Sequence, residues 1–559
     1  MRAELVTALK DVVGSRQVHT SDAATRSYRM GYRFGGGRVL AVVCPGSLVE
    51  MWRVTSLVVA AGQILIMQAS NTGLTGGSTP DGNDYDRDIV IVSTLRMAKV
   101  QLIQDGKQVI CLPGATLNQL ERLLKPLGRE PHSVIGSSCI GASVLGGISN
   151  NSGGALVRRG PAFTEMALFA RARADGTLEL VNHLGVQLGD APEEILTRLE
   201  NQDYAATDVV DSGARASDND YAAHVRDVDA ATPARFNADP SRLFEASGSA
   251  GRMVLFAVRL DTFPREAETS VFYIGTNDTA DLTAIRRGML RSNQPLPIAG
   301  EYMHRDAFNL TERYGKDTFL AIRRLGTDKL PTLFRLKDKV DAMARKIGIR
   351  ALSDRVLQLA SRVAPSHLPP RMLEFRDRFE HHLVVRVSAA DAGALRDLLD
   401  ARLGPADADY YACTPVEAEA AFLHRFAAAG AAVRYRTIHA AEVEEIVALD
   451  IALRRDDQAW FETLPPEVEA GISHKLYYGH FFCHVFHQDY IVRKGVDPLA
   501  LEHAMWALLD DRGAEYPAEH NVGHLYPAKP NLVEFYKELD PCNCLNPGIG
   551  QTSKQAHWQ

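Results

Sequence analysis

The sequence predicts an α+β protein of more than one domain, and three observations carry that prediction. At 559 residues the chain exceeds what one hydrophobic core organises. Its first 130 residues alternate short apolar runs with amphipathic helical stretches joined by short connections. Beyond residue 264 the apolar runs alternate in period two, as in SVFYIG and HHLVVRVS, the pattern of an antiparallel sheet with one face buried.

Residues 1 to about 34 read as helical, and Arg38 to Pro45 as a short buried strand. A Pro-Gly-Ser turn then opens the helix LVEMWRVTSLVVAAG, closed by Gly62. Ile64 to Met67 is a strand that runs directly into ASNTGLTGGSTP. Glycines there let successive N–H groups point inward at an anion, and Ser70, Thr72, Thr75 and Ser78 add hydroxyls. No lysine follows the glycines, and Pro80 bars an immediate helix, so neither a P-loop nor a Rossmann turn fits. Strands DIVIVS and VICLP and the helix TLNQLERLLKPLG complete the alternation. Gly136 to Gly154, GSSCIGASVLGGISNNSGG, repeats the small-residue chemistry of the first loop. Two such loops suit two phosphates; the bland alternative for each is a Gly-rich turn.

TEMALFARARADGTLELVNHLG reads as a hairpin turning at Asp175-Gly176. From about Gly189 to Arg235 the chain is rich in Asp, Glu, Ala and Ser and reads as an exposed excursion. SGSAGRMVLFAVRLDTF returns to strand. In Phe334 to Arg378 basic residues, including Arg335, Lys337, Lys339, Arg345, Lys346, Arg350, Arg355, Arg362, Arg371, Arg376 and Arg378, outnumber acidic ones among apolar residues at helical spacing. That pattern suits either an anionic membrane surface or a solvated helix face.

Composition sets further bounds. A net charge of −7 argues against nucleic acid as a partner. The seven cysteines are odd in number and scattered, as expected of free thiols in a reducing compartment. No apolar run reaches the length of a membrane span or forms a signal peptide.

The motifs SNTGLTGGSTPDGNDYDRD, REPHSVIGSSCIGASVLGGISNNSGG and AEHNVGHLY resemble the FAD-binding dehydrogenases and oxidases of the vanillyl-alcohol oxidase type. Within them they are similar to the bacterial quinone-dependent D-lactate dehydrogenase family, and the likeness spans essentially the whole chain. The resemblance implies an FAD-binding domain over 1–263 with the excursion at 189–235, and a cap or substrate domain in two parts, 264–333 and 379–530. It also implies a basic membrane-associating segment at 334–378 and a C-terminal return to the flavin at 531–559. FAD would be held without a covalent bond, since the first loop carries neither His nor Cys. Its pyrophosphate would rest on Ala69, Ser70, Asn71, Thr72, Gly73, Gly77 and Ser78, with Gly136, Ser143 and Gly153 from the second loop and Leu255 beyond. Asn546 to Gly550 would wall the flavin ring.

Histidines gather in SHKLYYGHFFCHVFHQDY and PAEHNVGHLY. In the resembled family a His…His pair followed by Glu-His lies over the flavin, and His480, His487, Glu519 and His520 match it. Relatives carry a Gly-Asp-Gly-Asn turn between the two histidines where this chain has apolar Phe481 to Phe486. On a regular strand His480 and His484 would share a face and His487 would point away; a kink would bring His480 and His487 together. Those two with Glu519 would suit a divalent metal, or would only hydrogen-bond the substrate. His520, oriented by Glu519, is the candidate base, because imidazole titrates near operating pH. Arg454, Arg455 and Lys475 are candidates for the substrate carboxylate, with an ordinary ion pair to Asp456 and Asp457 as the alternative for the arginines. His484 and His524 read as supporting core residues.

The expectation is D-lactate oxidised to pyruvate by hydride transfer to flavin N5, with electrons delivered to quinone at the cytoplasmic face of the bacterial inner membrane. A related 2-hydroxyacid dehydrogenase or oxidase, for glycolate or D-2-hydroxyglutarate, and a flavin-binding redox sensor are the alternatives.

Overall fold

The computed structural model describes residues 2–132, 141–291, 295–325, 337, 340, 341, 343, 344, 346, 351–363, 365–404 and 407–559. Three large sheets organise them, beside a two-stranded parallel pair of Gly36–Gly37 with Asp81–Gly82. The first contains β1 (Val18–His19), β2 (Ala41–Val43), β3 (Ile64–Gln68) and β4 (Ile89–Ser93) in the order β1-β2-β4-β3, with β2, β4 and β3 parallel. Parallel neighbours require a crossover. Helix α1 (Leu48–Ala60) supplies it, capped by Ser47 and buried through Leu48, Met51, Val54 and Val58.

The second sheet is antiparallel. It holds β5 (Val100–Ile103), β6 (Gln108–Cys111), β7 (Arg129–Pro131), β8 (Ala167–Ala172), β9 (Leu178–Asn182) and β10 (Val254–Pro264), in the order β9-β8-β10-β6-β5 with β7 against the far end of β10. The Asp175-Gly176 turn joins β8 to β9, with Gly176 at φ 80°. The short helix α2 (Val144–Ser149), capped by Ser143, packs with Leu255 in this sheet's core.

The third sheet positions the histidines. Strands β11 (Thr269–Thr276), β12 (Ala299–His304), β13 (His381–Ser388), β14 (Ala408–Ala412), β15 (Val443–Ala452), β16 (Ile472–His480) and β17 (Val485–Arg493) run antiparallel in the order β14-β11-β13-β12-β16-β17-β15. Both faces are covered, one by an aromatic cluster around Trp460, Tyr477, Phe486 and Tyr490 and the other around Phe308, Tyr478 and Tyr411. The chain then returns to the first sheet. Leu65 N–H donates to the Cys544 carbonyl, and Asn546 N–H to the Leu65 carbonyl.

Two expectations need correction. Residues 2–34 are not one helical stretch: Arg2–Val13 and Asp22–Arg29 are helices, separated by β1 and followed by a tight turn in which Gly31 N–H donates to the Gly35 carbonyl at 3.0 Å. The segment 189–235 is an exposed excursion only in its middle, where residues 201–213 are mostly exposed. Pro192–Asn201 is a helix burying Ile195, Leu196 and Leu199, and Tyr221, Val225, Val228 and Arg235 are buried. Its apolar residues are sparse, but Ile195, Leu196 and Leu199 share one face of that helix.

In the basic stretch 334–378, Arg335, Lys339, Arg345 and Arg350 lie outside the described residues. Helices α3 (Leu352–Val363) and α4 (Pro370–Arg378) lie within them. Among the described residues no helix is long and apolar enough to cross a membrane.

Candidate active site

The apolar run that departs from the family turn makes a turn of its own. β16 ends at His480, a single 3₁₀ turn follows over buried Phe481–Cys483, and His484 takes the left-handed conformation at φ 53° before β17 begins. His480 and His487 therefore lie on neighbouring strands of a hairpin, not on one kinked strand. Residues directly opposite in a ladder share a face. Register places Glu301 opposite His480, His487 opposite Tyr478, and Asp450 opposite His487. Glu301, His480, His487 and Asp450 thus converge on one face of the third sheet, with the two imidazole rings edge to face at 5.2 Å.

Glu519 and His520 arrive from the segment after β17. Both backbone N–H groups donate to Asp450 Oδ2, at 2.7 and 3.0 Å. His520 Nδ1 lies 2.8 Å from that same oxygen, and His487 Nδ1 lies 3.3 Å from Oδ1. An imidazole held by Nδ1–H on a carboxylate presents Nε2 as an acceptor. The His520 side chain is 38% exposed, whereas Asp450 and Glu519 are 5% and 7% exposed.

A chain of alternating charge runs behind it. Arg425 pairs with Glu301 at 2.7 Å, Glu301 with His480 Nδ1 at 2.8 Å, His480 Nε2 with Glu519 at 3.4 Å, and Glu519 with Arg235. Burial alone would neutralise these groups; their partners outweigh it. Burial would lower the His480 imidazole, but Glu301 and Glu519 push it up to about 10. Against burial, His480 and Arg425 hold the Glu301 carboxyl at about 2, and Arg235 and His480 hold Glu519 at about 2. Asp450, also buried, is held well below the carboxylate range by His520 and His487, and Asp450 in turn raises His520. Glu301, Asp450, Arg235 and Arg425 are the members that sequence reasoning misses. The available signal is one carboxylate within a short, mainly apolar run, as in VALDIA and AGEYMH.

The three expected carboxylate-binding cations are not at this cluster. Arg454 pairs with Asp456 at 2.6 Å. Arg455 is buried and donates to Thr232 and to the His224 carbonyl. Lys475 pairs with Glu469 and stands opposite Tyr490, whose ring belongs to the other face of the sheet, about 16 Å along β16 from His480. Strand alternation sends it away. His484 Nδ1 donates to the Arg454 carbonyl at 2.9 Å, and His524 Nε2 lies 2.7 Å from the Thr79 carbonyl, so both pin loops.

The first glycine loop meets this cluster. Thr75 Oγ1 donates to the Asn521 carbonyl, and His524 N–H to the Thr75 carbonyl, both at 2.9 Å. Among the described residues, no backbone N–H from 70 to 78 donates to another protein group, although the loop is mostly half-buried. Consecutive unspent donors at Ser70, Asn71, Thr72, Gly73, Gly77 and Ser78 form an anion cradle, and Ala69 leads into it from β3. A Cβ at Gly73 or Gly141 would meet no atom of another described residue within 4 Å, which leaves room for a ligand at both positions. Ser249 Oγ and Asn546 Oδ1 are buried without a partner among the described residues. These features fit a pyrophosphate-linked cofactor. Gly136 lies outside the described residues; Gly153 abuts Glu519.

His480, His487 and Glu519 each bring a ligand atom within 4.8 Å of the others, a spacing that a divalent cation would fit.

Residues 39–179 match a family described as FAD binding domain, and residues 271–558 one described as D-lactate dehydrogenase, membrane binding. The chain is 57% identical over 558 residues to a quinone-dependent D-lactate dehydrogenase of Haemophilus influenzae, covering 99% of each chain. It is 58% identical to one of Escherichia coli (99% of this chain, 97% of the other) and 49% identical to one of Corynebacterium glutamicum (99% and 98%). Solved structures share the fold at low identity. An alkyldihydroxyacetonephosphate synthase has a TM-score of 0.58 at 12% identity, covering 98% of this chain and 84% of the other. A p-cresol methylhydroxylase has 0.57 at 11%, covering 98% and 96%.

Proposed function

We propose a division of labour among the residues of a chain that belongs to the quinone-dependent D-lactate dehydrogenases, FAD enzymes of the vanillyl-alcohol oxidase fold. The overall reaction is oxidation of D-lactate to pyruvate with quinone as electron acceptor. FAD held on the two glycine loops would supply the acceptor for the C2 hydrogen and its electron pair, and the route of the two electrons to quinone.

His520 removes the hydroxyl proton of D-lactate at Nε2 as the C2–O bond becomes a carbonyl. The observation that carries this role is Asp450, which takes His520 Nδ1 and the backbone N–H groups of residues 519 and 520 on one carboxylate. It fixes the ring and its tautomer, and it stabilises the imidazolium that proton transfer creates. Glu519 does not orient the ring directly; it is engaged by Arg235 and His480. His480, His487 and Glu519 form the polar wall beside the reacting carbon. The N–H groups of residues 70–78, with Ser143 and Gly153, hold the FAD pyrophosphate, and Leu255 backs the second loop.

We further propose that the chain docks peripherally on the anionic cytoplasmic face of the inner membrane through residues 334–378. Helix α3 supports this reading by its inverted polarity. Its inward side carries Asp354, which meets Lys337 and Arg434, and Gln358, which donates to the Arg313 carbonyl. Its outward side carries Val356, Leu359 and Val363, at 57%, 65% and 82% exposure. An exposed apolar stripe flanked by Arg355 suits a lipid interface.

The test is anaerobic mixing with D-lactate, L-lactate, glycolate and D-2-hydroxyglutarate while flavin absorbance is followed. Bleaching by D-lactate is expected. H520A should slow it by about 10²–10⁴-fold with FAD still bound; an unchanged rate removes His520 as base. Binding to anionic vesicles that weakens with salt is expected, and indifference to lipid charge overturns the anionic surface.

A further inference from the structure

The arginines of the reacting cluster are already paired. Arg425 meets Glu301 and Arg235 meets Glu519, and Asp450 adds a third buried carboxylate engaged by His487 and His520. A 2-hydroxy acid brings one more carboxylate, and burying it unpaired is costly. The cations expected from sequence are spent elsewhere.

One arginine meets the need. Arg33 sits at the tip of the tight turn 31–35, is exposed, and forms no ion pair with another described residue. The turn is fastened to the phosphate loop from one side: Asn71 Nδ2 donates to the Met30 carbonyl at 2.8 Å, and a Cβ at Gly76 would lie 2.6 Å from the Phe34 carbonyl. The segment carrying His520 is fastened to the same loop from the other side, through Thr75, and a Cβ at Gly77 would lie 2.4 Å from Asn521. Arg33 and His520 are therefore held across one short stretch of backbone. Its charge is felt at His520, at Tyr526, at Tyr478 on β16, at Asp489 on β17, and at Glu502 on the helix Pro498–Asp511. Those groups stand on separate elements, and the guanidinium lies within electrostatic reach of all of them. Asp489 does not spend it, because burial pushes that carboxyl up and the Tyr478 hydroxyl donates to it at 2.7 Å.

We propose that Arg33 is the substrate-binding residue that receives the carboxylate of the 2-hydroxy acid, as a forked pair that turns C2 and its hydroxyl toward the flavin and His520. Planar guanidinium matches carboxylate in two parallel hydrogen bonds, which also fixes orientation. The N-terminal turn thereby becomes part of the active site. This assignment rests on the reaction proposed above.

The experiment uses the FAD-loaded full chain. R33M is compared with wild type on D-lactate and on D-lactamide, which keeps the hydroxyl and loses the charge. KM for D-lactate should rise about a hundredfold, the loss expected of a charge-assisted forked pair. The saturating rate of flavin reduction should change far less, and kcat/KM for D-lactamide should stay as it was. R33K, which keeps the charge without the fork, should raise KM by a smaller factor, with flavin content and melting temperature unaltered, and it decides the matter if R33M fails to load FAD. Wild-type KM in either FAD-loaded variant overturns Arg33. A wild-type enzyme that D-lactate does not reduce overturns the reaction instead.

Discussion

Gly153 faces Glu519 so closely that a Cβ on the glycine would lie 2.3 Å from Glu519 Oε1. The second cofactor loop and the histidine cluster are thus one packed unit, and a methyl group there has nowhere to go. G153A should push the carboxylate off Arg235 and His480. The expected result is a loss of about 1–3 kcal/mol in unfolding free energy, as for other overpacked sites, together with reduced FAD content. Denaturant unfolding and the flavin-to-protein absorbance ratio measure both.

Asp450 receives His520, His487 and two backbone N–H groups. D450N keeps the shape but removes the charge that stabilises the imidazolium and offers an amide where an acceptor is needed. Stopped-flow reduction by D-lactate should slow by at least about 10²-fold, with KM less affected. Reduction at the wild-type rate would mean that His520 is oriented by something else.

Chelation should leave the reaction intact. His480 is held as an imidazolium between Glu301 and Glu519, and Glu519 is also paired to Arg235, so the trio is charge-balanced by its protein partners. Dialysis against a strong chelator followed by flavin reduction checks this. Activity lost on dialysis and restored by zinc or manganese would make His480, His487 and Glu519 a metal site.

Glu502 is 8% exposed, and burial pushes its carboxyl up to about 7. A carboxyl raised on folding contributes fully below the unfolded value near 4.5, and stability falls as pH rises through 7, because the unfolded chain ionises first. E502Q should therefore match wild type at pH 4 and exceed it by roughly 2–3 kcal/mol at pH 8. Paired denaturant titrations at the two pH values report the difference. Equal stability of the two proteins at pH 8 would show that Glu502 is solvated.

What was legible in the sequence is local. The β3 strand and its glycine loop, the Asp175-Gly176 hairpin and the alternating strands of the third sheet follow from side-chain period and turn chemistry, which act over a few residues. That His480, His487, Glu519 and His520 gather in one cluster was also legible, through their likeness to a family motif. Which residues complete that cluster was decided by tertiary structure. Strand register alone sets Glu301 opposite His480 and Asp450 opposite His487, and no local pattern records a pairing across 179 residues. Arg454, Arg455 and Lys475 were near the histidines in sequence, yet strand alternation and nearer carboxylates or carbonyls claimed them. Arg235 was hidden in a stretch whose composition reads as solvated, because a few well-placed apolar side chains suffice to bury it. Sequence fixes what each residue is able to do; only packing decides which charges meet, since charge interactions act through space over a few ångströms and take no account of distance along the chain.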